Sequence, residues 1–295
     1  MELASPQGQG SHNASIFCMP FGWGKAKSAI TPEQKQFWEQ NGYLVLSGFF
    51  NPDEVRAVNA VVDRVVSNPS SAGKATIDVL HGKYVGQRMR AAEAPSEAFQ
   101  GPVKINDLFL DEPEVRHLAL NPHLTEILSE LLGGDPMVCN SLNFIWGSQQ
   151  PDHFDSWFMP PPVRNKMAVS SICLEDVDPS AGPLVYYPGT HKIEPYKFSH
   201  GGIHAIESEM PACRAYLEEQ LKRTKAEGKE FRGKAGDVFI WHGQLLHGGT
   251  QIKDLNRTRK TLVTHYWRAK DVEASRAIQV HKTGYYLQRE HQSVS

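Results

Sequence analysis

The chain has 295 residues, a length that suits one large domain or two ordinary ones and allows a substantial hydrophobic core. With 40% hydrophobic and 22% charged residues and a net charge of -2, it lacks the basic excess that would favour nucleic acid or an anionic membrane as a partner. The four cysteines show no metal-binding spacing and the N-terminus shows no signal-peptide pattern, so we expect a cytoplasmic protein with free thiols.

The chain is predicted to consist of an N-terminal arm and one domain. Residues 1–30 are rich in Gly, Ser, Gln and Pro without periodicity, which predicts a flexible arm, and no later linker divides residues 31–295, which we therefore expect to form a single domain. Thr31, followed by Pro32 and then Gln34, has the pattern of a capping box and predicts a helix start.

Strand and helix signals alternate up to residue 135. A strand is predicted over 43–50, a helix with valines at helical spacing follows Asn51, an irregular segment covers 68–99, and one helix is predicted over 112–132.

From Pro136 onward the hydrophobic period becomes strand-like. One helix, near 210–227, interrupts short β-rich runs bounded by Gly, Pro and Asp, at 137–146, 166–174, 182–187, 236–241 and 260–267. The predicted fold is mainly β with flanking helices, built on a double-stranded β-helix, the jelly roll of cupin-like proteins.

A candidate metal site is centred on His153 and Asp155, because residues two apart in a strand project to the same face. A second histidine would complete the 2-His-1-carboxylate triad of non-haem Fe(II) oxygenases, which leaves metal positions open. Two histidines near a later strand end are candidates, His242 and His247. His247 is favoured because Gly248-Gly249 follows it and would let the backbone turn tightly there.

A candidate anion anchor follows the second histidine. Arg259 opens the strand over 260–267, and its guanidinium could hold the distal carboxylate of a 2-oxo diacid through two parallel hydrogen bonds. Arg257 has the same strand parity and is the alternative.

Four motifs occur in a characteristic order: His153-Phe-Asp155, Ala181-Gly-Pro-Leu-Val-Tyr-Tyr-Pro-Gly-Thr-His191, Gly236-Asp-Val-Phe with Leu245-Leu-His247-Gly-Gly, and Arg259-Lys with His265-Tyr266. In this order the chain resembles the phytanoyl-CoA dioxygenase family of Fe(II)- and 2-oxoglutarate-dependent oxygenases, from about residue 104 to 267. The resemblance implies that His153, Asp155 and His247 bind Fe(II), that Arg259 anchors 2-oxoglutarate, and that O2 is the co-reactant.

Details of the sequence refine this resemblance. Lys104, in Lys-Ile-Asn-Asp, resembles a family lysine near the cosubstrate. Phe154 replaces the glutamine that is common between the two ligands. Related halogenases lack the carboxylate, so the presence of Asp155 favours hydroxylation over halogenation.

Residues around the ligand segment are candidates for substrate contact. His191 is interpreted as structural, because it lies in a tight turn. Large aromatic, cationic and imidazole side chains could wall a pocket or bind a substrate, and the candidates are Phe144, Trp146, Trp157, Phe158, Arg90 and His204.

The sequence therefore predicts a dioxygenase that hydroxylates an unactivated C-H of a small molecule and releases succinate and CO2. Desaturation, epimerisation or ring formation by the same triad is the alternative within this class. Outside the class, the alternatives are a metal-binding jelly roll without oxygenase activity and a zinc isomerase or hydrolase. The sequence does not distinguish an acyl-CoA, an amino-acid-like metabolite or a natural product as substrate, and it favours no oligomeric state.

Overall fold

The computed structural model describes residues 28–294. The predicted arm over 1–30 lies almost wholly outside the described residues, and the assignment of 31–295 to one domain stays a prediction. The helices are α1 (Pro32–Asn41), α2 (Pro52–Ser67), α3 (Pro113–Ala119), α4 (Pro122–Leu132) and α5 (Met210–Thr224). The strands are β1 (Tyr43–Leu46), β2 (Thr76–Val79), β3 (Arg88–Arg90), β4 (Val103–Asn106), β5 (Pro136–Phe144), β6 (Met167–Cys173), β7 (Leu184–Tyr186), β8 (Lys229–Phe231), β9 (Val238–His242), β10 (His247–Gly249), β11 (Thr261–Arg268), β12 (Ala277–His281) and β13 (Gly284–Leu287).

The first two helices begin at the residues that the sequence indicates. The Thr31 side chain accepts a hydrogen bond from the Gln34 backbone N–H, and the Gln34 side chain accepts one from the Thr31 N–H, so the predicted capping box is present. Asn51 caps α2 through the backbone N–H groups of Asp53 and Glu54. Local side-chain chemistry thus determines both helix starts.

The strands form a large and a small sheet. The large sheet has the strand order β1-β9-β6-β11-β5-β4-β2-β3, and the β12–β13 hairpin joins it by a parallel pairing of β13 with β5. The small sheet has the antiparallel order β10-β7-β8. This arrangement confirms the predicted jelly-roll core with flanking helices.

The two faces of the large sheet pack against different elements. Helices α2 and α4 lie on one face, where five buried valines of α2 belong to the same hydrophobic cluster as residues of the strands. Burying each valine contributes roughly 1.5 kcal/mol or more. The other face packs against the small sheet through buried aromatic side chains that include Tyr43, Tyr186, Phe239 and Trp241. The candidate site lies on this second face.

The structure corrects two predicted segments. The helix predicted over 112–132 is two helices, because Pro122 lacks the N–H needed to continue α3, and the Asn121 side chain starts α4 by accepting from the His123 and Leu124 N–H groups. The segment over 68–99, interpreted as irregular, contains β2 and β3, which extend the large sheet. Both are short, so their pattern is weak in the sequence.

Within the described residues, no helix is both long and apolar enough to cross a membrane. Cys139, Cys173 and Cys213 are buried free thiols. Burial raises the pKa of the Cys213 thiol to about 11, which keeps it protonated at neutral pH.

Candidate active site

Two histidines from distant parts of the chain are joined through their backbones. The His153 N–H donates to the His247 carbonyl at 2.8 Å, and the His247 N–H donates to the His153 carbonyl at 3.1 Å. Their ring centroids lie 4.3 Å apart. This bridge attaches the segment around His153 to β10 and brings the two rings together.

Glycine is needed where these segments meet. A Cβ atom on Gly248 would lie 2.5 Å from Asp152 Oδ1 and 2.9 Å from the Gln150 carbonyl oxygen. The sequence suggested that Gly248 and Gly249 allow a tight turn, but both lie in β10, where the lack of a side chain permits the close approach.

Hydrogen bonds orient both imidazole rings. His153 Nδ1 lies 2.8 Å from the Pro151 carbonyl oxygen, and His247 Nδ1 lies 2.9 Å from the Leu245 carbonyl oxygen. A carbonyl only accepts, so each Nδ1 carries the proton and each Nε2 offers a lone pair. Burial, together with the neighbouring His247, lowers the pKa of His153 to about 3, so this ring is neutral at physiological pH.

Asp155 provides the carboxylate of the group. The sequence analysis placed His153 and Asp155 on one face of a strand, but Asp155 begins a short 3-10 turn. Only the backbone before Asp155 is extended. Its Oδ1 lies 3.9 Å from His153 Nε2 and 3.6 Å from His247 Nε2. Burial alone would raise the pKa of Asp155, but His247 and the hydrogen bond from His265 hold it below the ordinary value. The carboxylate is therefore ionised.

These three residues form a metal-binding arrangement. Their candidate ligand atoms all lie within 4.8 Å of one another, and all three residues are buried. Two imidazoles and one carboxylate are the donor set that suits non-haem Fe(II) with open positions. Phe154, between two of these residues in sequence, packs against Trp157 in a separate hydrophobic cluster.

The alternative histidine lies elsewhere. His242 Nδ1 accepts a hydrogen bond from the Gln244 N–H, and its ring packs near Trp38 and His191. His191 Nε2 bonds to the carbonyl of Glu39 in α1, which agrees with its structural interpretation. Of the two candidates, only His247 joins the group with Asp155.

A buried arginine lies in the same cavity. Arg259 is 5% exposed, and its Nε has no hydrogen-bond partner in the described part of the chain. Burial lowers the pKa of its guanidinium to about 10, so it remains charged at neutral pH. A buried, uncompensated charge is costly, and an anionic ligand would offset that cost. Such a site suits the carboxylate of a dicarboxylic cosubstrate.

The rival arginine points to the surface. The Arg257 side chain is 62% exposed and lies 3.8 Å from Asp178 and 3.9 Å from Asp254. The structure therefore separates the two arginines, although both have the strand parity that the sequence analysis required.

The cavity walls include residues that sequence analysis did not single out. Beside Phe144, which the sequence analysis named, the apolar wall comes from Leu142, Leu184 and Val263. The polar side chains include that of His265, which lies in a named motif, and those of Ser148, Gln150, Ser171 and Trp241. The strand period could have identified two of these residues. Val263 and His265 in β11 lie at even spacings from Arg259, so their side chains project to the same face.

The candidate substrate contacts are dispersed. Phe144 lines the cavity, and Phe158 is 54% exposed with its ring centroid 5.6 Å from that of His153. Trp157 is buried in a hydrophobic cluster, and Trp146 donates its indole N–H to the Leu255 carbonyl. Two further candidates lie apart from the cavity lining: Arg90 donates to the Lys74 carbonyl, and His204 lines a surface cleft with Pro160–Pro162.

Lys104 has an ion-pair partner. It lies opposite Phe144 in the β4–β5 ladder, so both side chains project from the same face of the sheet. Its Nζ lies 3.0 Å from Asp78 Oδ2, and it is not part of the cavity lining around the histidines.

Comparison with known proteins places this chain in a family. The family model described as "Phytanoyl-CoA dioxygenase (PhyH)" matches residues 38–260. The chain belongs to the phytanoyl-CoA dioxygenase family. This membership confirms the predicted class, a non-haem Fe(II)- and 2-oxoglutarate-dependent dioxygenase.

Individual relatives of this family member are distant. Peroxisomal phytanoyl-CoA dioxygenase of Rattus norvegicus is 24% identical over 262 residues, which cover 81% of this chain and 69% of the rat protein. Ectoine dioxygenase of Bordetella parapertussis is 26% identical over 183 residues, which cover 58% of this chain and 53% of the bacterial protein. This chain therefore spans about half the length of that bacterial relative.

Solved structures share the fold. EctD from S. alaskensis with bound Fe has a TM-score of 0.63 at 17% identity, covering 91% of this chain and 84% of that one. The 2-oxoglutarate-dependent carbocyclase SnoK from nogalamycin biosynthesis has a TM-score of 0.62 at 19% identity, covering 83% and 88%. The epimerase SnoN, crystallised with Fe3+, alpha ketoglutarate and nogalamycin RO, has a TM-score of 0.58 at 15% identity, covering 80% of this chain and 83% of that one.

Proposed function

We propose that His153, Asp155 and His247 bind the Fe(II) of this dioxygenase and that Arg259 binds the distal carboxylate of 2-oxoglutarate. The observation that carries the proposal is one cavity containing both a converging His-Asp-His group and a buried arginine without a partner for its Nε. When bound, iron and 2-oxoglutarate supply the oxidising chemistry with O2, giving succinate and CO2.

The protein's own groups prepare this site. The Nδ1–H bonds to the Pro151 and Leu245 carbonyls leave both Nε2 atoms without a proton and hold them 3.9 and 3.6 Å from Asp155 Oδ1. The guanidinium of Arg259 orients the cosubstrate through charge-assisted hydrogen bonds. The apolar wall of the cavity excludes water from the reacting centre.

Hydroxylation of a C-H bond in a small molecule is the reaction we propose. Asp155 occupies the position that is vacant in related halogenases, and this supports oxygen transfer. Ring formation or epimerisation is the second candidate, supported by the likeness of the fold to SnoK and SnoN. Phe144 on the cavity wall and the exposed Phe158, whose ring lies beside that of His153, are the side chains we assign to substrate contact.

The proposed setting is the cytoplasm, with a small molecule as the substrate. The buried free thiols are typical of a reducing compartment. The net charge of -2 gives no support for a nucleic-acid partner.

An anaerobic titration tests the ligand and cosubstrate assignments. The purified apoprotein is given Fe(II) and then 2-oxoglutarate, and a weak visible charge-transfer band is expected when the 2-oxo acid chelates the metal. His247→Ala should lose the band, and His242→Ala, as the matched histidine control, should keep it.

Three results would contradict the proposal in different ways. Metal binding without a band would remove the cosubstrate role and leave a metal-binding jelly roll. Loss of the band in His242→Ala but not in His247→Ala would reverse the ligand assignment. Air-stable activity with zinc would favour the isomerase or hydrolase alternative.

A further inference from the structure

The two oxygens of the Asp155 carboxylate have different partners. Oδ1 faces the histidines, at 3.9 Å from His153 Nε2 and 3.6 Å from His247 Nε2. Oδ2 accepts a hydrogen bond of 2.7 Å from the indole N–H of Trp241. The indole thus holds the oxygen that does not face the two histidines.

Packing fixes the orientation of Trp241. It lies in β9, opposite Val169 of β6, and is only 2% exposed. Its ring centroid lies 5.1 Å from the His247 ring and 5.7 Å from the Phe239 ring. A buried ring with neighbours of this kind has little rotational freedom, so its N–H is a donor of fixed direction.

A second contact supports the same orientation. His265 Nε2 lies 3.3 Å from Asp155 Oδ1, and His265 Nδ1 has no hydrogen-bond partner among the described residues. A carboxylate only accepts, so His265 carries its proton on Nε2 and donates weakly to Oδ1. This contact is longer than the hydrogen bond from Trp241. We therefore regard the Trp241 bond as the stronger influence on the orientation of the carboxylate.

We propose that Trp241 is a positioning residue for the metal centre, because its indole N–H holds Asp155 Oδ2 and thereby directs Oδ1 at the two histidines. This role rests on the proposed function, in which Asp155 is a ligand. Charge-assisted hydrogen bonds to ligating carboxylates orient them, and losing such a partner weakens metal binding by about 10- to 100-fold in other proteins.

The chain offers a matched control. Trp267 in β11 also has a buried indole nitrogen, but that nitrogen has no hydrogen-bond partner among the described residues. Trp241→Phe and Trp267→Phe make the same chemical change, and only the first removes a bond to Asp155. A difference between them in metal binding therefore reports the hydrogen bond.

The experiment is a titration of the full-length apoprotein with Mn(II), a stable substitute for Fe(II). The electron paramagnetic resonance signal of free Mn(II) measures how much of the metal remains unbound. We expect Trp241→Phe to bind Mn(II) about 10- to 100-fold more weakly than the wild type. Trp267→Phe should bind like the wild type. The melting temperatures of the metal-free proteins, measured in parallel, report the packing effect of each substitution separately.

A second variant keeps the test decisive if Trp241→Phe does not fold. Site-specific incorporation of β-(3-benzothienyl)alanine at position 241 preserves the bicyclic shape and replaces the N–H by sulfur. The same weakening of Mn(II) binding is expected. Wild-type affinity in this variant, or in a folded Trp241→Phe protein, would overturn the positioning role and leave Trp241 as a packing residue.

The outcomes also separate this inference from the proposed function. If the wild type does not bind Mn(II), or if His247→Ala binds it equally well, the metal-site assignment itself fails. If the wild type binds, His247→Ala does not, and the Trp241 variants bind normally, only the role of Trp241 is wrong.

Discussion

At the scale of single residues, the buried charge of Arg259, which we propose binds 2-oxoglutarate, is a cost to the folded protein. Its charge is buried, its Nε has no partner among the described residues, and burial lowers its pKa to about 10. An unpaired buried charge costs free energy in the folded protein. The native state without cosubstrate therefore carries a cost that 2-oxoglutarate would relieve.

Arg259→Met should have opposite effects on binding and stability. Loss of the charge-assisted hydrogen bonds should weaken 2-oxoglutarate binding by about 10- to 100-fold, equivalent to the 1.5–3 kcal/mol of a bond to a charged group. The apoprotein should melt at the same temperature or higher, because the methionine fills the space without a charge. Cosubstrate titration and thermal melting of the apoprotein measure the two effects.

Arg257→Met is the control for this prediction. Its side chain is exposed, so neither cosubstrate affinity nor melting temperature should change appreciably. Weakened 2-oxoglutarate binding in Arg257→Met, with normal binding in Arg259→Met, would show that the wrong arginine was assigned.

At the scale of elements, the strands β2, β3 and β4 extend the large sheet and carry a polar cluster on it. Asp78 accepts two hydrogen bonds from Arg88, at 2.6 and 2.8 Å, and one from Asn106 at 3.1 Å, and Lys104 Nζ lies 3.0 Å away. One carboxylate thus joins three neighbouring strands. It also holds Lys104, which sequence analysis linked to the cosubstrate.

The stability contribution of Asp78 should depend on pH. Burial alone would raise the pKa of this carboxyl, but Arg88 and Lys104 hold it below its ordinary value of 3.8. A lowered pKa means that the contribution is complete above pH 3.8 and is lost as the pH falls through the folded-state pKa. Asp78→Asn should therefore destabilise the protein by about 1–3 kcal/mol near neutral pH.

The predicted pH dependence of the Asp78 contribution is measured by denaturant unfolding of the wild type and of Asp78→Asn between neutral and acidic pH. The difference between them should shrink below pH 3.8. Glu194→Gln, which removes an exposed pair with Arg164, should change stability far less than Asp78→Asn does. A difference for Asp78→Asn that is unchanged down to the lowest pH would mean that its charge is not what stabilises the strands.

At the scale of the whole molecule, the site exists only when both sheets are assembled. His247 lies in β10 of the small sheet, the segment around His153 pairs with it, and Trp241 lies in β9 of the large sheet. Metal and cosubstrate bind the folded state and not the unfolded chain, so binding must raise the stability of the whole protein.

Mn(II) together with 2-oxoglutarate should raise the melting temperature. A ligand at 100 times its dissociation constant adds about 2.7 kcal/mol. This corresponds to a shift of roughly 4 °C for a chain of 295 residues, because the entropy of unfolding grows with chain length. Removal of the metal with a chelator should reverse the shift, and Asp155→Ala should show none. An equal shift in Asp155→Ala would place the stabilising metal elsewhere.

The sequence by itself determined the parts that depend on local chemistry. The capping residues Thr31 and Asn51 predicted two helix starts, because a cap and its helix are neighbours in the chain. The His153-x-Asp155 spacing, the later His247 and the ordered motifs predicted the family, which is confirmed, and a ligand set, which stays a prediction. Each of these signals can be recognised in the sequence without knowledge of the fold.

Only the tertiary structure decided the parts that depend on burial and cross-strand neighbours. Arg257 and Arg259 are equivalent by parity and differ only in what covers them. Trp241 and Asp155 are 86 residues apart, and their hydrogen bond follows from strand pairing and the loop that carries Asp155. Such contacts are set by the register of the sheet, which no short segment of the sequence encodes.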